Sequence, residues 1–107
     1  QEAVKQEVSY IIHNELNDPR IGFVTVTKAE VSSDLKHARI YISALGQPQQ
    51  NKATFVALEK AKGYIRKLLA QRLQMRFTPE IYFKEDKSGE YSVYISKKID
   101  ELKNGHR

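Results

Sequence analysis

Residues 51–76, NKATFVALEKAKGYIRKLLAQRLQMR, form one long helix-favouring stretch between two β-branched segments, interrupted only at Gly63. Its apolar positions Leu58, Ala61, Ile65 and Leu68 keep a 3, 4, 3 spacing, which is one buried helical face. A glycine inside a helix costs roughly 1 kcal/mol relative to alanine. The pattern therefore predicts two helical runs bent at Ala61-Lys62-Gly63. Continued straight, the seam would bury Arg72; a bend rotates the second run and frees it. A chain that places such a pair between strands must lay helices over a sheet, which leaves few architectures open.

The remaining segments supply that sheet. Residues 3–16 carry Val4, Val8, Ile11, Ile12 and Leu16 at helical spacing, and Asn17-Asp18-Pro19 stops this helix because a residue before proline is pushed out of the α region. Residues 23–31, FVTVTKAEV, are β-branched and alternate, as a strand does. After the turn chemistry of Ser32-Ser33-Asp34-Leu35 comes KHARIYISAL, residues 36–45. There Ala38, Ile40, Ile42 and Ala44 share one face, and His37, Arg39, Tyr41 and Ser43 the other. These two strands predict an antiparallel hairpin. Residues 46–50 form a loop, and Asn51 is the expected N-cap of the first basic helix. Thr78-Pro79 opens a third strand, EIYFKED, with Ile81 and Phe83 inward, and residues 90–103 predict a terminal helix. Two helices running down and up would lay the third strand parallel to the first, beside it. The expectation is an α+β two-layer domain, α-β-β-α-kink-α-β plus a C-terminal helix, with a three-stranded mixed sheet and 1–107 as a single domain.

Charge concentrates on the same stretch. Seven basic side chains (Lys52, Lys60, Lys62, Arg66, Lys67, Arg72, Arg76) stand with one acid, Glu59, for a net +6, against +5 for the whole chain. The pI is about 9.5. Solvated helices usually interleave acids with bases, so the cluster favours an anionic partner, and nucleic acid is the commonest. Lys60 falls off the face of Leu58 and Ala61, and Arg66, Lys67, Gln71 and Gln74 off that of Ile65, Leu68, Leu69 and Leu73. A second candidate surface is the open sheet face, where His37, Arg39, Tyr41, Tyr82 and Lys84 could stack and pair with bases.

Catalysis has little to stand on. The three histidines lie in unrelated contexts with no second ligand at metal spacing, so no metal is expected. There is no G-x-S-x-G elbow, no P-loop and no G-x-G-x-x-G. Glu85 and Asp86, neighbours on a strand, face opposite sides. With no cysteine, disulfides and thiol chemistry are excluded, which suits the cytoplasm. No apolar run approaches the ~20 residues of a membrane helix, and nothing resembles an export signal. The chain begins at Gln1 rather than Met, so a preceding N-terminal piece is expected.

These residues carry a resemblance that runs almost end to end. Its parts are Asn17-Asp18-Pro19-Arg20-Ile21, Val24-x-Val26-Thr27, and Val31-Ser32-x-Asp34-Leu35-x-x-Ala38-x-Ile40-Tyr41-x-Ser43. They continue with Leu58-x-x-Ala61-x-Gly63-Tyr64-Ile65-Arg66, then Arg72-Leu73-x-Met75-Arg76-x-x-Pro79-Glu80-Ile81-x-Phe83. In joint order and spacing the chain resembles the bacterial ribosome-binding factor A family. The resemblance implies a KH-like (type II) fold and a cytoplasmic, monomeric, non-enzymatic factor without cofactor. It further implies binding to the small (30S) ribosomal subunit and its 16S rRNA, late maturation including 5′-end processing, and cold adaptation. KH domains usually clamp a single strand with a GXXG loop. Here no two glycines lie three apart, and Ala61-Lys62-Gly63 stands in that place as an interhelical kink. One departure is visible, a link from Ser92 to Lys98 that is longer than usual, and the family's N-terminal basic arm is expected to lie before Gln1.

The expected RNA- and ribosome-binding residues are Lys52, Lys60, Lys62, Arg66, Lys67, Arg72, Arg76 and Arg39, with Ala61 and Gly63 as the kink. The alternatives are a general single-stranded RNA-binding KH-like module using the sheet face, and an adaptor whose basic face meets an acidic protein.

Overall fold

The computed structural model describes residues 2–87. Helix α1 spans Glu2–Asn14, strands β1 and β2 span Val24–Val31 and His37–Ala44, helices α2 and α3 span Pro48–Lys60 and Lys62–Arg72, and strand β3 spans Glu80–Glu85. The α-β-β-α-α-β order of a KH-like domain is thus present, as an α+β fold with a mixed three-stranded sheet. The terminal helix expected over 90–103 lies outside the described residues.

The core forms between the helices and one sheet face. From α1 come Val4, Val8, Ile11 and Ile12, from β2 Ala38, Ile40, Ile42 and Ala44, and from the later elements Leu58, Ile65, Leu69 and Ile81. Fully burying an isoleucine or leucine contributes about 1.5–3 kcal/mol. The six such side chains left with no exposure on β2, α2, α3 and β3 (Ile40, Ile42, Leu58, Ile65, Leu69, Ile81) therefore fix how the helices lie on the sheet. Two polar ties secure the edges. Thr54, buried in α2, donates from Oγ1 to Arg20 O and accepts from Gly22 N–H. His13 Nε2 lies 2.9 Å from Val24 O, linking the end of α1 to the start of β1.

β1 and β2 pair antiparallel, as expected, but the ladder slips between Val26 and Lys28. Strict alternation from Val24 and Val26 would aim Lys28 and Glu30 into the core. A bulge at Thr27 shifts the phase by one, so Ala29 is buried and Lys28 exposed. Thr27 Oγ1 donates to Asp86 Oδ2 at 2.6 Å.

β3 does not lie beside β1. It pairs parallel with β2, from His37↔Glu80 to Ile42↔Glu85, and the sheet order is β1-β2-β3. The cause is the connection between α2 and α3. Reversing direction takes several residues, and only Ala61 separates the two helices, serving as C-cap of one and N-cap of the other. The pair is one bent crossing, and a strand reached by one crossing runs parallel to the strand that launched it. The bend itself falls on Ala61 (φ −86°, ψ −1°) rather than on Gly63, which is an ordinary helical residue of α3.

Asn51 is also displaced from its expected role. α2 starts earlier, with Pro48 in its first turn, where a missing N–H costs nothing. Asn51 instead ties down the preceding loop, accepting from Gly46 N–H and donating to the carbonyls of Ala44 and Gly46.

Candidate nucleic-acid interface

The seven cations of residues 51–76 divide into two groups. Three are used inside the fold. Arg72 clears the core, as the bend allows, but its guanidinium reaches α1 and the residue that follows it, bonding Glu15 at 2.8 Å and Glu7 at 3.2 Å and lying over the Tyr10 ring. The Glu15 and Glu7 bonds raise its pKa, in that order of effect. Arg66 turns toward the lead into β3: Nε donates to Pro79 O at 2.7 Å and Nη2 to Thr78 O at 3.4 Å, with Glu80 3.3 Å away. Lys62 pairs with Glu59 at 2.8 Å, one helical turn back, and its ammonium lies over Phe83. That pair occupies the one acid of the stretch.

Lys52, Lys60, Lys67 and Arg76 form the second group. All four are exposed, and none makes an ion pair with a described residue. Tyr64, Lys67 and Gln71 are exposed at successive i+3 and i+4 steps and line one face of α3, and exposed Lys60 ends α2 just before the bend. Gly63 is exposed beside them, and a methyl group built on it would meet nothing within 4 Å. The helix backbone is bare there. On the other flank, Lys52 and Lys60 border a groove of about 910 Å³ between α2 and β3, whose apolar lining is Phe55, Val56 and Phe83. Lys60 also reaches the α1–β1 loop electrostatically. Asp18 there has its carboxyl lowered to about 2, chiefly by the side-chain and backbone bonds of Arg20, with Lys60 adding a smaller pull.

Arg39 stands apart from this group. It projects from β2 on the sheet face opposite the helices and pairs with Glu30 at 3.4 Å. Glu30 also holds Lys28 at 3.0 Å and accepts the Tyr41 hydroxyl. The Lys28 bond, then the Tyr41 bond, keep its carboxyl ionised below the ordinary range. On the same face His37 stacks on Tyr82, with Nδ1 3.1 Å from the hydroxyl. The aromatic and basic side chains of this face are thus largely satisfied by one another, and the sheet offers an anion less than the helices do.

Cations unpaired among the described residues on two consecutive helices, a bare glycine in the first turn of α3 and exposed Tyr64 make a surface that fits a polyanion. Sequence reasoning named the cations and passed over Tyr64 and the groove. The helical wheel could have placed Tyr64 between Lys60 and Lys67, whereas the groove depends on where β3 lies.

A family model described as ribosome-binding factor A matches residues 1–99. The chain belongs to that family. A ribosome-binding factor A from Halothermothrix orenii is 46% identical over 102 residues, covering 95% of this chain and 84% of the relative. Among solved structures, ribosome-binding factor A from Thermus thermophilus is 26% identical with a TM-score of 0.71, covering 79% of this chain and 90% of that one. A second set of Thermus thermophilus coordinates, fitted into a cryo-EM map of a complex between that factor and the 30S subunit, is 25% identical with a TM-score of 0.67. It covers 81% of this chain and 91% of the other. Membership in the ribosome-binding factor A family agrees with the fold read from the residues, apart from the strand order corrected above.

Proposed function

We propose that this member of the ribosome-binding factor A family binds the small ribosomal subunit or its precursor as a non-enzymatic assembly factor. Lys52, Lys60 and Lys67, with Arg76 at the exit of α3, meet the phosphates of 16S rRNA. The observation that carries this reading is the sorting of charge within residues 51–76: the acid of the stretch is paired internally, and four cations stay exposed with no ion-pair partner among the described residues. Phosphate contacts of this kind supply affinity without reading sequence, which suits a folded RNA surface. Arg66, Arg72 and Lys62 act from within, holding the helices in place, and Arg39 belongs to the far face. A relative's coordinates fitted into a 30S complex support the choice of partner. The family resemblance extends the reading to a cytoplasmic monomer acting late in maturation, when the 5′ end of 16S rRNA is processed, with its loss felt most in the cold.

Co-sedimentation with purified small subunits across a salt series tests it. Wild-type protein binds saturably and more weakly as salt rises. The triple variant Lys52→Gln, Lys60→Gln, Lys67→Gln binds more weakly at low salt, and its log–log salt slope falls by about one per contact removed, about three in all. Wild-type protein that fails to bind free subunits at low salt would sink the reading. A triple variant that tracks wild type at every salt concentration would move the site off this face.

A further inference from the structure

At the far end of α3 the chain makes a tight exit. Met75 N–H bonds Ala70 O, and Gln74 takes a positive φ of 51°, the αL helix stop usually given to glycine. Arg76 and Phe77 follow. Phe77 remains 51% exposed although Pro79, two residues on, is buried. Its loop is fixed from behind by the two Arg66 bonds to Pro79 O and Thr78 O. It is fixed from the side by Glu80 N–H, which donates to Lys36 O at 2.8 Å. An apolar ring is therefore held out in water on a loop that is tied at both ends.

Two cations from different loops stand over that ring. Lys36 Nζ, from the β1–β2 turn, is 5.7 Å from its centroid, and the Arg76 guanidinium carbon is 5.8 Å away. Both distances lie near the outer limit of about 6 Å for a cation–π contact, so the ring is flanked rather than capped. Neither cation forms an ion pair with a described carboxylate. The carboxylate that feels Lys36 is Asp34, and it is already engaged by Ser32 Oγ and by the Lys36 backbone N–H. An exposed aromatic plane with positive charge beside it that pairs with no described carboxylate matches the two halves of a nucleotide, a flat base and its phosphates. Stacking a base on an aromatic side chain is sequence-tolerant and contributes about 1–3 kcal/mol.

We propose that Phe77, between Lys36 and Arg76, is a stacking site for one unpaired nucleobase of RNA, the two cations taking the flanking phosphates. The site deepens the RNA-binding reading above and relies on it only for which RNA supplies the base. Two binding measurements test it: fluorescence anisotropy with labelled hexauridylate and hexaadenylate, and co-sedimentation with small subunits. Phe77→Leu keeps an apolar side chain and removes the ring, and its circular dichroism spectrum checks the fold. The expected result is a loss of about five- to a hundredfold in hexamer affinity with the salt slope unchanged. Phe77→Trp restores binding, and Lys36→Gln or Arg76→Gln each lowers the slope by about one. Hexamers that ignore wild-type protein, or that bind Phe77→Leu as well as wild type, overturn the stacking site. So does unchanged hexamer binding alongside equal loss of subunit binding in Phe77→Leu and Phe77→Trp, which would mark a ribosomal-protein contact. Ring-dependent hexamer binding without any subunit binding would leave the stacking site standing and remove the ribosomal reading. Subunit binding that responds to the three lysines, alongside hexamer binding that ignores Phe77, would do the reverse.

Discussion

At Gly63 the bent helix pair carries no side chain in a place where one would fit. Its φ is not positive, and the Cβ of an alanine would meet nothing within 4 Å. Gly63 is the second residue of α3, and glycine loses more backbone entropy on folding than alanine, so Gly63→Ala should raise stability by about 0.5 kcal/mol. Urea unfolding should show a higher midpoint at an unchanged slope, and a midpoint equal to or below wild type would mean that the backbone at residue 63 is under a constraint not visible in its φ. A position that the fold would improve with a methyl group, set among exposed Lys60, Tyr64 and Lys67, keeps the helix backbone open to close approach. That suits a surface which meets a polyanion. Gln74 offers the contrast, because its φ of 51° sits where a side chain is strained and glycine would be easier.

At the scale of elements, α3 is attached to α1 through charge as well as through Ile65 and Leu69. Arg72 bonds Glu7 on α1 and Glu15 just past its end, with a side chain only 31% exposed. Arg72→Gln leaves both carboxylates without their shared cation, so it should lower the thermal midpoint by more than Lys67→Gln, which removes an exposed charge with no ion-pair partner among the described residues. Circular dichroism melts of the two variants decide this, and equal midpoints would show that the tie is solvent-screened. The same comparison explains what could be read in the residues. The wheel separated Leu58, Ile65 and Leu69 from the cations correctly, because hydrophobic periodicity is local. It could not tell Arg72 from Lys67, because the difference lies in acids 57 and 65 residues away in sequence. Sheet order was lost for a related reason: whether two helices reverse or continue depends on the single linking residue Ala61, and the periodicity runs through it unbroken. The Thr27 bulge was hidden likewise, since FVTVTKAEV alternates on paper while its register is set by pairing with β2. Arg39 looked like a free cation on a strand face until Glu30 came to lie opposite it.

Across the whole molecule, charge does two jobs that solution conditions can pull apart. Carboxylates in three separate places are held ionised by local donors. Asp18 is lowered to about 2, first by Arg20; Glu30 is lowered first by Lys28; and Asp34 is lowered first by the Ser32 hydroxyl and then by Lys36 N–H. Unfolded, these groups return to ordinary values of about 3.9 for Asp and 4.3 for Glu. Between the two sets of values the unfolded chain binds more protons than the folded one, so stability must rise with pH over that interval. The contribution is complete above about pH 5 and is lost as pH falls toward 2. Urea midpoints measured from pH 5 to pH 2 should therefore fall steadily in the wild type. In the double variant Asp18→Asn, Asp34→Asn, which keeps an acceptor oxygen at both positions, the midpoint should start lower at pH 5 and fall less steeply. Of the cations proposed to meet RNA, Lys60 adds a small pull on Asp18, whereas Lys52 and Lys67 pair with no described carboxylate. The double variant Lys52→Gln, Lys67→Gln should then share the wild-type acid slope while losing part of the salt-sensitive subunit binding. A parallel loss of acid sensitivity in that variant would show that these lysines hold the fold together, and that the division between structural and exposed charge drawn from the ion pairs is wrong.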